Sequence, residues 1–178
     1  MKTSVRELIS SDISLIADYW LKSDHTYLTS LGVDISKLPR RKDLVDMIEN
    51  QLVLSYKEKK NYALIWEIDG EAIGHSNINS IKYGHSANMH LHIWKTDLRR
   101  KGAGVELVEK SLPFYFNNFD LDVLNCSPSA ENDAPNKTLE KIGFTFIKKH
   151  ITIPGSLNFK QEVNHWEIRK NDFLKLTI

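Results

Sequence analysis

A chain of 178 residues suits one domain with its own core and is short for two, so residues 1–178 are read as a single domain. Its 41% apolar and 26% charged content is that of a soluble globular protein, and a net charge of +1 offers no bulk attraction to nucleic acid or membrane. Cys126 is the only cysteine, which excludes an intramolecular disulfide, and no apolar run approaches the roughly 18 residues of a membrane span. The N-terminus carries no signal-peptide pattern, so the expected location is the cytoplasm, with neither a nucleic-acid nor a membrane partner.

Taken in chain order, "SVRELIS" reads as a strand and "ISLIADYWL" as a helix that Ser11 or Asp12 can cap. "RKDLVDMIENQLVLSYKEKK" reads as a second helix, with Leu44, Val45, Ile48, Leu52 and Tyr56 as its apolar stripe. In "NYALIWEIDGEAIGHSNINSI", two apolar runs flank Asp69-Gly70, a dipeptide that favours the positive φ angles of a tight hairpin. "SANMHLHIW" alternates with a period of two and makes a third consecutive strand. A helix follows through Val105, Val108, Leu112, Tyr115, Phe116 and Phe119, which Pro113 is expected to kink or shorten. "LDVLNCSP" is a strand. "NDAPNKTLEKIG" is a short helix stopped by Gly143, and "FTFIKKHITI" and "QEVNHWEIRK" are the closing strands. The order β-α-α-β-β-β-α-β-α-β-β predicts an α/β (α+β) fold: a mixed sheet of about seven strands with helices on its faces.

The junction "DLRRKGAG" places Arg99, Arg100 and Lys101 directly before Gly102-Ala103-Gly104 and the start of a helix. A helix N-terminus exposes unpaired N–H groups and the positive end of its dipole, and glycine lets backbone approach an anion closely. The arrangement suits a diphosphate, although a solvated basic loop is an equally direct reading. Neither G-x-x-x-x-G-K-[ST] nor G-x-G-x-x-G is present.

"RRKGAG", read as R-x-x-G-x-G, resembles the acetyl-coenzyme A diphosphate loop of the GNAT superfamily of N-acetyltransferases. About thirty residues on, "ENDAPNKTLEKIGF" is similar to the family's second signature. The resemblance extends from about Thr3 to Arg169 and is closest to the branch of ribosomal-protein N-terminal acetyltransferases. It implies the GNAT fold, acetyl-coenzyme A as co-substrate and an amine acceptor, either a small molecule or a protein N-terminus. It also implies backbone N–H groups around the diphosphate from Arg100 through Lys101, Gly102, Ala103 and Gly104 to Val105, with Arg99 adding charge. His92, Ile93 and Trp94 would pair with the pantetheine arm through their backbone. Asn132 and Asn136 match cofactor-contacting positions, and Lys137 would approach the phosphates. A homodimer is compatible with the family.

Acetyl transfer to an amine needs a base for the ammonium, a donor for the oxyanion and an acid for the departing thiolate. Histidine titrates near neutral pH, so His90, and after it His92, on the strand entering the junction are the candidate bases. The alternative is that both are hydrogen-bonded residues of a half-buried strand. No third ligand stands at a metal-binding spacing, so no metal is expected. The family's proton donors are replaced here by Leu139 and Pro135, and neither can donate. Cys126 reads as a small buried side chain. The acceptor would meet polar stretches carrying Asp24, His25, Tyr27, Asp34, His75, Asn77, Asn79, Tyr83, His85 and Asn88, of which Asp24 or Asp34 could hold an ammonium. Two rivals remain: an acyl-coenzyme A-binding module without catalysis, and a nucleotide-binding domain sharing only the glycine turn.

Overall fold

The computed structural model describes residues 2–95 and 102–176. A seven-stranded sheet in the order β1-β2-β3-β4-β5-β7-β6 organises the chain. Its strands are β1 (Thr3–Glu7), β2 (Asn61–Ile68), β3 (Glu71–Lys82), β4 (Ser86–Ile93), β5 (Val123–Cys126), β6 (Thr145–Thr152) and β7 (Gln161–Arg169). The helices are α1 (Ile13–Lys22), α2 (His25–Ser30), α3 (Arg41–Leu52), α4 (Ala103–Phe119), α5 (Asp133–Ile142) and α6 (Lys170–Leu176). All strand pairs are antiparallel except β4 with β5. This is the predicted mixed sheet with helices on both faces.

β2 shows why the sheet must be covered twice. Leu64, Ile65 and Trp66 are all buried, so apolar side chains leave the strand in both directions, as a strand packed on both faces requires. On one side Leu64, Trp66, Ile78 and Met89 meet Leu107, Leu112, Tyr115 and Phe116 of α4. On the other side Ile65 meets Leu8, Ile13 and Ile16, with Val45, Ile48 and Leu52 of α3 packed against them. The β2–β3 hairpin turns at Asp69 and Gly70, whose φ angles of 51° and 83° are both left-handed. Asp12 caps the turn ahead of α1 by accepting from Ile9 N–H at 3.0 Å. It also takes both ends of the Arg6 guanidinium, at 2.6 and 2.9 Å, so its carboxyl is held below the usual range, chiefly by Arg6.

Three sequence expectations need correction. α4 is not shortened at Pro113 but runs on to Phe119. Leu112, Tyr115, Phe116 and Phe119 are buried along one face, whereas the carbonyl deprived of its N–H partner belongs to exposed Glu109, where water can satisfy it. α3 ends at Leu52, so Tyr56 is not part of its stripe. Ser55 and Glu58 restart the chain as a separate turn, with Glu58 accepting from Ser55 N–H at 3.2 Å and Oγ–H at 2.6 Å. Buried Lys59 then folds its ammonium back onto the carbonyls of Gln51 and Leu52, the negative end of α3. Finally, α2 and α6 are helices that the periodicity did not reveal, each short and bearing a single buried apolar residue, Leu28 or Phe173.

Candidate functional site

The sheet opens at its centre. β4 and β5 pair over four rungs, from Ser86↔Val123 to Met89↔Cys126. β4 then continues to Ile93, while the chain leaves β5 through Ser127-Pro128-Ser129 toward α5. Pro128 cannot donate to a ladder, which helps end the pairing there. A cleft of about 640 Å³ passes along this split, touching Met89, His90, Leu91 and His92 on one lip and Cys126, Ser127 and Pro128 on the other. α4 begins below it. Gly102 has φ 84°, and a Cβ built there meets nothing within 4 Å; one on Gly104 meets only Thr138 Oγ1, at 3.6 Å. Among the described residues, nothing crowds the start of α4 at Gly102 and Gly104. Arg99, Arg100 and Lys101 lie outside the described residues.

The floor of the cleft is set by strand register. His75 pairs with His92, Asn77 with His90, and Asn79 with Asn88, so all six side chains stand on one sheet face. His75 and His92 stack at 4.5 Å between ring centroids. Trp94 Nε1–H donates to His75 Nδ1 at 2.8 Å, which places the His75 proton on Nε2. His92 Nδ1 lies 3.2 Å from Tyr19 Oη, and Tyr19 Oη lies 3.3 Å from Tyr27 Oη. Trp20 packs edge-on against His92, at 5.0 Å. His92 thus belongs to an aromatic cluster with its Nδ1 engaged. His90 differs: its Nε2 is buried with no hydrogen-bond partner among the described residues. Burial pushes the His90 imidazole down to about 4 and that of His75 to about 3, and pushes His92 well below its ordinary value. Three neutral imidazoles therefore line the floor at pH 7. Among the described residues no group of His, Cys, Asp and Glu is arranged to hold a metal.

The roof comes from two distant segments. Phe159 N–H donates to Gly32 O at 3.2 Å, Asp34 N–H to Leu157 O at 2.8 Å, and the Asn158 amide to Gly32 O at 2.9 Å. Gly155 sits over β4; a Cβ there would come within 3.7 Å of His90 Cε1. The wall is Leu44, Met47, Ile48 and Leu52 of α3. The only carboxylate among the described lining residues is Glu7, which accepts from Tyr56 Oη at 2.5 Å and Tyr62 Oη at 2.6 Å.

The structure separates the other sequence-selected residues. Asp24 caps α2 by accepting from Tyr27 N–H at 3.0 Å, and Asp34 caps a short 3-10 turn through Ser36; neither lines the cleft. Tyr83 is exposed at the β3–β4 turn beneath the Lys57 ammonium, 5.5 Å from its ring centre. Asn132 lines the cleft. Asn136 spends its amide on the protein: Nδ2 donates to Ser129 O and Asn132 O, and Oδ1 accepts from Asn164 and from Trp166 Nε1–H at 2.8 Å. Lys137 is exposed and paired with Asp133. Cys126 is buried and its thiol is pushed up to about 12, so it is no nucleophile.

Sequence reasoning missed one constellation. Ser127 Oγ lies 3.1 Å from His165 Nδ1, and His165 Nε2 lies 3.2 Å from Glu167 Oε1. The signal was available as the alternation His165-x-Glu167 in a strand pairing beside the residue after Cys126, but it becomes a relay only once β5 and β7 are known to be neighbours.

The family model described as Acetyltransferase (GNAT) domain matches residues 4–145, and the chain belongs to that family. None of the curated proteins compared matches it. Among solved structures, the chain is similar to a spermidine N-acetyltransferase from Vibrio cholerae in complex with coenzyme A and spermine: 17% identity, TM-score 0.77, covering 97% of this chain and 98% of that one. It is also similar to an aminoglycoside acetyltransferase in complex with coenzyme A: 14% identity, TM-score 0.74, covering 99% and 100%. An uncharacterized protein from Bacillus halodurans shares 14% identity at a TM-score of 0.71, over 98% and 87%. At these identities the likeness is one of fold.

Proposed function

We propose that the protein acetylates a primary amine with acetyl-coenzyme A, by direct attack in a ternary complex. The observation that carries this is the cleft through the β4–β5 split with His90 among its lining residues, its Nε2 buried and without a hydrogen-bond partner among the described residues. Coenzyme A brings the acetyl group as an activated thioester. The chain holds it along the end of β4 at His92 and Ile93, Trp94 N–H itself being given to Ile73 O at 2.8 Å, and through the stretch from Arg99 to Val105, with Asn132 and Lys137 beside the arm. No described residue crowds Gly102 or Gly104 against such a group. His90, neutral at pH 7, takes the proton that the acceptor amine must lose, and His92 holds the register of the strand beside it.

The two neighbours named for spermidine and aminoglycosides act on polycations, yet this cleft offers one carboxylate that is already bonded to two tyrosines. An apolar α3 wall and a floor of neutral histidines and asparagines suit an amine on an uncharged body, including the N-terminus of a protein as in the ribosomal-protein branch. Tyr27 reaches toward that side through Tyr19, Oη to Oη at 3.3 Å, and Asn88 pairs with Asn79, which lines the cleft, while Asp24 and Tyr83 line no part of it. In this reading the protein works in the cytoplasm: no helix among the described residues is long and apolar enough to cross a membrane, and the lone cysteine is unpaired. A second copy of the chain would pair on the outer strand β6, where Phe146, Ile147 and Ile151 are exposed.

A panel of amines incubated with acetyl-coenzyme A, read by product mass, tests the assignment. Acetylated uncharged amines or peptides ahead of spermine and kanamycin are expected; binding of the co-substrate with no product from any amine would favour a module that binds acyl-coenzyme A without catalysis. The specific observation behind that second reading is Leu139, which stands where the family carries a proton donor and is fully buried in the core.

A further inference from the structure

We propose that Ser127 is the proton donor to the departing thiol, recharged by His165 and steadied by Glu167. The inference rests on the acetyltransferase reading above. Met89 and Cys126 form the last rung between β4 and β5. One residue beyond it, His90 stands on one lip of the split and Ser127 on the other, and both line the cleft. Both also belong to the same sheet face, because Asn88 pairs with Asn125 and the side chains two residues on repeat that orientation. The acceptor of the amine proton and a hydroxyl therefore face each other at the apex of the split, where the arm between the strands must end.

Behind Ser127 the chain of contacts runs away from the cleft: Oγ to His165 Nδ1 at 3.1 Å, then Nε2 to Glu167 Oε1 at 3.2 Å. Glu167 accepts from His165 Nε2–H, which orients the ring with Nδ1 toward Ser127. Arg169 reaches the other Glu167 oxygen at 3.4 Å. From β6, His150 lies edge-on to His165, at 6.2 Å between ring centres. Neither His165 nor Glu167 lines the cleft, so only the hydroxyl meets the reacting groups.

The balance is as follows. The amine nitrogen bonds to the acetyl carbon and gives one proton to His90. The carbon–sulfur bond breaks with its electron pair going to sulfur. Ser127 Oγ–H protonates that sulfur, and Oγ recovers a proton from His165 Nδ1–H, the ring keeping its Nε2–H toward Glu167. Ser127 thereby fills the role that Leu139 and Pro135 cannot perform.

The test is the ionisation of the coenzyme A thiol bound to the full chain, followed by thiolate absorbance against pH in wild type, Ser127→Ala and Glu167→Gln, with calorimetry verifying that each is loaded. A donor aimed at the sulfur stabilises the thiolate. Ser127→Ala is therefore expected to raise the bound thiol's pKa by about one unit, and Glu167→Gln to raise it by less. A merely structural Ser127–His165 pair would leave the titration unchanged, and an unchanged titration in a loaded Ser127→Ala protein overturns the inference. If Ser127→Ala does not load, Glu167→Gln, which leaves the cleft wall intact, decides in the same way. Failure of wild type to bind coenzyme A overturns the acetyltransferase reading itself, and with it this role.

Discussion

Two imidazoles two residues apart have different environments. His92 is wedged among His75, Trp20 and Tyr19, with Nδ1 engaged; His90 presents a buried Nε2 without a partner among the described residues. His90→Ala is expected to lower kcat by about two orders of magnitude while calorimetric affinity for coenzyme A stays unchanged. The pH profile should alter with it; an unchanged profile removes His90 from the proton path. The same residues make stability depend on pH. Their folded pKa values are depressed by burial, to about 4 for His90 and about 3 for His75. Above the unfolded value of about 6.5 they are neutral in both states and contribute no pH dependence. As pH falls below it, the unfolded chain binds protons that the folded chain does not, so stability falls by about 1.4 kcal/mol per pH unit for each histidine. The loss continues until the folded values are reached. Urea melts of the free protein between neutral pH and pH 4 should show this slope, and His92→Gln should make it shallower. A flat profile would mean that water reaches these rings.

At the scale of elements, the packing of α5 depends on one amide. Asn136 ties the helix to the β5–α5 turn through Nδ2 and to β7 through Oδ1. Asn136→Ala strands Trp166 Nε1–H, while the Ser129 carbonyl keeps the Asn132 N–H at 3.1 Å, and a loss of about 1–3 kcal/mol is expected from denaturant melts; a loss below about 0.5 kcal/mol would show that water replaces the amide. Regular elements were legible in the sequence wherever a period or a turn dipeptide stated them: the Asp69-Gly70 hairpin, the alternating strand up to Trp94, and the Gly143 stop. α2 and α6 were not, because six or seven residues with one buried side chain carry no period. Pro113 misled because helix propensity was weighed without the four buried side chains that hold α4 through it. Of the site, His90, His92 and the glycines could be picked out because one strand and one loop carry them. The partnership of Ser127 with His165, and of residues 32–34 with 155–159, is decided by which strands and loops meet, and no local pattern records that.

The whole molecule is a sheet divided at its middle, with the α3 side supplying the cleft and the α4 side facing the glycine turn. On the proposed function the co-substrate comes from one side and the amine from the other, and the start of α4 is the point on which that reading depends. Gly104 allows a clean test, since its neighbourhood accepts a side chain sterically, whereas Gly102 holds a left-handed φ of 84° that any other residue would strain. Gly104→Glu places a carboxylate where the diphosphate would lie without disturbing the core. Isothermal calorimetry of coenzyme A with wild type and Gly104→Glu is the decisive measurement. Saturable binding in wild type, weakened at least about a hundredfold (~2.7 kcal/mol) in a variant with an unchanged melting temperature, is the expected result. No binding to wild type, or equal binding to both, would contradict the assignment of this cleft to acetyl-coenzyme A.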